Sequence, residues 1–241
     1  MKMKRLFALL FAAPLSMSAQ HSHGGSMIPV MSDADMRAMA AHMEMTPKRA
    51  VTTSDSIRAD RIATSLRNAI AKYRDVRLAE ADGFHMFAPQ MKNQQVYHFT
   101  KNLWALENQF QFNPERPTSL LYTRDEQGNF VLVGAMYTAP KRFSAEDLNK
   151  RVPISVGQWH KHVNWCLPLR LQTERWSETR NGRPLFGPLG VSTREECDAA
   201  GGRFMKEVFG WMIHANVFES EDPHVIWGDS HMRGDEIMNK Q

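Results

Sequence analysis

Two short runs carry most of the side chains in this sequence that can do chemistry. The first is Trp159-His160-Lys161-His162-Val163-Asn164-Trp165-Cys166, and the second is Trp211-Met212-Ile213-His214-Ala215-Asn216-Val217-Phe218. Both alternate with a period of two and are rich in Val, Ile, Trp and Phe, which predicts two β-strands. On the first strand His160, His162 and Asn164 then share one face. On the second Met212, His214 and Asn216 share one face. Alternate residues on a strand lie roughly 7 Å apart at Cα, so tilted imidazoles from His160 and His162 can reach one ion. If the strands are neighbours, His214 supplies a third nitrogen and Met212 a soft sulfur. Asn164 and Asn216 would then hold ring N–H groups in place. That donor set suits copper first and zinc second. The competing reading makes these histidines a polar sheet face hydrogen-bonded to water. His85 and His98 are further candidate ligands, although each sits among aromatic residues, where a histidine is more often a hydrogen-bonded core residue.

The same residues admit two other functions. A three-histidine metal with an open position activates water or oxygen, so a metal-dependent enzyme is one alternative. No carboxylate lies within either run, and Glu107, Asp125 and Glu174 are candidate bases only by elimination. The polar stretch Gln172 to Leu189 is long for a structureless connection and is a candidate lid. The other alternative is a metal-free module whose Trp, Phe, His and Asn side chains bind a small molecule. The chain lacks a phosphate-binding glycine loop, a nucleophile elbow and a helical zinc-protease motif.

The first nineteen residues have the organisation of a cleavable signal peptide: Lys2, Lys4 and Arg5, then an apolar stretch from Leu6 to Leu15, then Ser18-Ala19. The apolar stretch is too short to span a bilayer, so export to a periplasm or beyond is expected, with a retained membrane anchor as the alternative. The formal net charge of +4 includes those three basic residues, and their removal leaves about +1. With the remaining Lys and Arg scattered, nucleic-acid binding is not expected. In an oxidising compartment the two cysteines, Cys166 and Cys197, are expected to pair. A loop of about thirty residues makes that bridge worth roughly 3 kcal/mol. The rival reading keeps Cys166 as a thiolate ligand.

Residues 20–51 read as a tail containing His21, His23 and His42 with six of the sixteen methionines. Ser32-Asp33-Ala34-Asp35 is placed to cap a short helix running through Met45 and stopped by Pro47. Met36, Met39 and Met43 would share its face, either as an apolar docking surface or as a soft-ligand tract for Cu(I). Residues 52–241 form one domain. Its pattern gives a long helix from Ile57 to Ala81 with Ile57, Ile62, Leu66, Ile70 and Tyr73 in the apolar stripe. A hairpin follows, Ser119–Thr123 and Phe130–Thr138, turning at Asp125–Asn129. Short helices start at Ser144 and Thr193.

Several stretches together resemble a family of small exported bacterial proteins of uncharacterised function. They are His42-Met43-Glu44-Met45-Thr46-Pro47, Arg116-Pro117-Thr118-Ser119-Leu120-Leu121-Tyr122, Leu132-Val133-Gly134-Ala135-Met136-Tyr137, Trp159-His160-Lys161-His162 and Gly210-Trp211-Met212-Ile213-His214. The resemblance implies no activity or cofactor. The expected fold is α+β, an antiparallel sheet packed on one long N-terminal helix with short helices at the edges.

Overall fold

The computed structural model describes residues 40–228 apart from 90, 92 and 93. The expected signal peptide, most of the expected tail and His231 lie outside the described residues. The rest is an α+β fold on an antiparallel sheet. The strands are β1 (Met43–Met45), β2 (His85–Met86), β3 (Tyr97–Thr100), β4 (Ser119–Arg124), β5 (Phe130–Ala139), β6 (His160–Leu167), β7 (Thr179–Arg180), β8 (Arg183–Pro184), β9 (Arg203–Glu207) and β10 (Trp211–Ala215). The main sheet runs β1-β6-β10-β5-β4-β3-β2, with β9 also paired to β6, while β7 and β8 form a separate hairpin.

Helix α1 (Thr53–Ile70) begins where the Thr52 hydroxyl accepts from Asp55 N–H. It buries Ile62, Leu66 and Ile70, one turn apart, against the sheet residues Tyr97, Phe99, Leu120, Tyr122, Tyr137 and Ile213. Leu66 and Ile70 are wholly buried, and each contributes roughly 1.5–3 kcal/mol. Ile57, expected in this stripe, is exposed. The helix expected as one piece to Ala81 is interrupted. A 3-10 turn follows at Ala71–Arg74, and a new helix, α2 (Val76–Ala81), is capped by Asp75. The cause is Tyr73. Its ring is buried in the core, its hydroxyl donates to Asp82, and its carbonyl accepts from the Tyr122 hydroxyl at 2.7 Å. That carbonyl is thereby tied to the sheet at the interruption.

Helix α3 (Asn102–Glu107) follows β3. The hairpin β4–β5 forms as its sequence dictates, with Asp125 accepting from the Asn129 backbone in the turn. Helix α4 (Ala145–Arg151) carries the reciprocal Ser144–Asp147 capping box, α5 (Arg194–Ala199) starts at Thr193, and α6 (Pro223–Ile226) starts at Asp222.

Two further segments differ from expectation. Met43–Met45 is a strand, not the end of a helix: it pairs with β6, and Thr46 N–H donates to the Trp159 carbonyl. Hydrogen bonding to the open edge of β6 overrides local helix propensity here. Residues 172–189, expected as a surface loop, contain a 3-10 turn at Thr173–Ser177 and the β7–β8 hairpin. Leu185 and Phe186 pack on Cys166 and Cys197, and Gly187 N–H donates to the Cys166 carbonyl. This segment therefore covers the disulfide. The bridge itself joins Cys166 to Cys197, with Cα atoms 5.4 Å apart, so Cys166 is not a thiolate.

Candidate metal centre

The alternation in the two histidine strands becomes geometry because the strands are neighbours. β10 lies between β6 and β5, with Met212 opposite His160 and His214 opposite Met136. Directly opposed residues of an antiparallel pair project from the same face. Following that rule strand by strand, one face carries His162, His160, Met212, His214, Met136, Ser119, Leu121, His98, Thr100 and His85. The other face carries the apolar core. The sheet thus separates its imidazoles from the main hydrophobic core, while Leu121, Met136 and Met212 of a smaller apolar cluster share the histidine face.

The rings form a row. His162 and His160 have centroids 5.5 Å apart, His160 and His214 5.3 Å, and His214 and His98 5.6 Å. His160 and His214 are buried, and His98 and His162 are half-buried. With metal–nitrogen bonds of about 2.0–2.1 Å and ring centres about 1.1 Å further out, two imidazoles sharing an ion have centres about 5.2 Å apart at a tetrahedral angle, about 5.5 Å at a trigonal angle and about 6.3 Å in line. The row has the first two spacings. Among the described residues no group of three or more His, Cys, Asp or Glu side chains is arranged to hold an ion. The imidazoles are therefore spaced in adjacent pairs rather than gathered round one point, and further donors would have to come from another side-chain type.

Methionine is that type. On the outer side of β6, Met43 is opposite His162 and Met45 is opposite His160. His160 is thus flanked by Met45 on one side and Met212 on the other, and His214 faces Met136. Met136 and Met212 are buried with Val96, Leu121 and Val133, while Met43 and Met45 are half-buried. Sequence reasoning missed Met43, Met45 and Met136 as partners of the rings. The signal was present in Met43-Glu44-Met45, which alternates as a strand does, but the capping residues upstream and Pro47 favoured a helix.

The remaining candidates fall elsewhere. Asn164 has a left-handed backbone (φ 56°), and its amide donates to the Ala41 carbonyl. Strand parity breaks at that residue, which brings the Trp165 ring, expected on the opposite face, to 4.9 Å from His162. Asn216 donates to the Gly228 carbonyl and anchors the turn after β10. His85 shares the histidine face but is exposed at its far edge. His42 is a clamp: its ring nitrogens lie 3.3 Å from the Val163 carbonyl and 3.0 Å from that of Gly190. Among the base candidates, Glu107 is held by Arg116, Asp125 by Asn129, and Glu174 opens the 3-10 turn near the disulfide.

No protein family, curated protein or solved structure matches this chain, so the site must be judged on its own groups. Two of these modulate it. Lys161, between the two histidines of β6 but on the opposite face, is buried between Glu44 (3.1 Å) and Glu207 (3.4 Å) and sits over the Trp211 ring. Its positive charge is offset there, which lowers its repulsion of a cation behind it. Trp165 and Phe209 pack on His162, and Phe87 packs on Phe209. The buried indole N–H of Trp165 has no acceptor among the described residues.

Proposed function

We propose that this protein binds copper, as Cu(I), on the histidine–methionine face of its sheet, after export to an oxidising compartment. The observation that carries the reading is the register: a thioether stands directly opposite each imidazole of β6, Met43 against His162 and both Met45 and Met212 against His160. Thioether with imidazole is a soft donor set that selects Cu(I) over harder ions. Two nitrogens and one sulfur make a trigonal site, and the ring spacings suit that angle. Zinc is the weaker reading, since a closed zinc site wants a fourth hard or thiolate donor, and both cysteines are in the disulfide. The disulfide itself suits an exported protein, and no helix among the described residues is long and apolar enough to cross a membrane.

In this reading His160 is the central ligand, paired with one of its two neighbouring rings, His162 or His214, and Met212 is a soft donor. The test is an anaerobic Cu(I) competition titration of chelator-washed protein against a chromophoric cuprous chelator. The parent should compete, and His160→Ala should weaken binding at least tenfold, about 1.4 kcal/mol, with an unchanged far-ultraviolet spectrum. A parent that fails to compete, or Ala variants of His160, His162 and His214 that all bind like the parent, would sink the proposal. The face would then be read as a metal-free pocket in which the Trp165 N–H, beside His162, donates to a small polar ligand.

A further inference from the structure

The row of rings is longer than one ion needs. His98 was at most an auxiliary to the cluster on β6 and β10, yet it extends the row by a full spacing, 5.6 Å beyond His214. His162 and His98 stand at opposite ends, separated by two further rings. An ion bound between His162 and His160 cannot also reach His98, because each bond spans only about 2 Å. The row therefore divides most simply into two pairs.

Resting on the cuprous reading above, we infer that the face holds two Cu(I) ions side by side: one on His160 and His162 with Met43 and Met45, the other on His98 and His214 with Met136. Each half has two imidazoles at a spacing that suits a trigonal angle, and each has a thioether on the same face, opposite one of its rings. Met212 stands between the halves, opposite His160 and two residues from His214, where its sulfur can serve either ion. The halves also differ in setting. The β6 pair is at the outer side of the sheet with half-buried sulfurs, whereas Met136 is buried in the middle. The outer ion should exchange faster.

Stoichiometry tests this on the full exported chain, under the same anaerobic competition conditions. The parent should bind two Cu(I) per chain. His98→Gln and His162→Gln, which keep polar side chains of similar reach, should each retain one. Met136→Leu should weaken only one of the two binding events. A parent that binds a single ion, kept by both Gln variants, would place one site at His160 and His214; it would overturn the two-ion inference while leaving copper binding intact. Two ions retained in His98→Gln would also overturn it. A parent that binds none defeats both readings together. The parent's own stoichiometry does not depend on any variant folding.

Discussion

At the scale of single residues, sulfur is the discriminating atom. Met212→Leu nearly conserves volume, so its stability cost should stay under about 1.5 kcal/mol. If the thioether is a donor, the variant should lose several-fold in Cu(I) affinity and little in Zn affinity; equal losses for both metals would mark Met212 as packing only. Gly134 matters for a different reason. A Cβ there would sit 2.0 Å from the Ala215 carbonyl oxygen and 2.8 Å from the Asn216 Cα, because β10 passes against β5 immediately after His214. Neither contact is with a flexible side chain, so backbone must move. Gly134→Ala should cost about 3 kcal/mol or more in denaturant unfolding, and it should disturb His214 before it disturbs His162. The alternation around His160, His162 and His214 was readable directly, because side-chain parity is a property of the strand itself. Asn164 was not, since its left-handed backbone depends on what β1 and β9 do on either side of β6. Gly134 was equally silent: only the path of a strand eighty residues away makes it necessary.

Among the elements, β1 changes most in meaning. Read locally, residues 20–51 form a tail that can be deleted within a few degrees of thermal midpoint. In the fold its last part completes the outer side of β6. Thr46 accepts from Trp159 N–H as well as donating to the Trp159 carbonyl, and His42 bridges to Val163 and Gly190. Deleting residues 20–51 should therefore lower the midpoint by more than about 5 °C, on a scale of roughly 2–4 °C per kcal/mol for a chain of this size. A midpoint unmoved by the deletion would show that β1 contributes little. The hairpin β4–β5, the capped helices α4 and α5 and the Cys166–Cys197 pair were legible because their signals are local or compartmental. The break between α1 and α2 was not, since it arises from Tyr73 bonding to a strand fifty residues on. The disulfide ties the far end of β6 to α5 and is covered by Leu185 and Phe186. Its reduction should remove between about 3 and 4 kcal/mol and loosen β9 first, measurable as earlier amide exchange in Arg203–Glu207 than in Trp211–Ala215.

For the whole molecule, charge and burial set a pH window. The Ser155 hydroxyl, and then Thr52 and Arg58, hold the Asp55 carboxyl below its ordinary value; Lys150 and Ser144 do the same for Asp147, and Lys72 and Tyr73 for Asp82. Folded carboxylates with lowered pKa contribute stability that is present above the unfolded value and is lost as pH falls through the folded one. Burial raises the Tyr122 and Tyr137 phenols, so their contribution is complete below the unfolded value near pH 10 and declines as pH rises above it. Unfolding midpoints of the metal-free protein should accordingly drop below about pH 4 and above about pH 10; an alkaline limb that is flat to pH 12 would contradict the buried phenols. The two-faced sheet makes both limits independent of the histidine face, since these groups belong to the core side and the surface. One consequence reaches beyond binding. The outer ion inferred above would take its sulfurs from a segment that joins the rest of the described chain through the exposed linker at Pro47, Lys48, Arg49 and Ala50. A protease that nicks this linker leaves β1 held by hydrogen bonds and the Lys161–Glu44 ion pair when the site is empty, but by metal bonds as well when it is full. Copper would then act as a rivet, and trypsin cleavage after Lys48 or Arg49 should release the N-terminal peptide from the empty protein while the loaded protein keeps it. In a compartment rich in proteases, the cargo would decide how long its carrier survives.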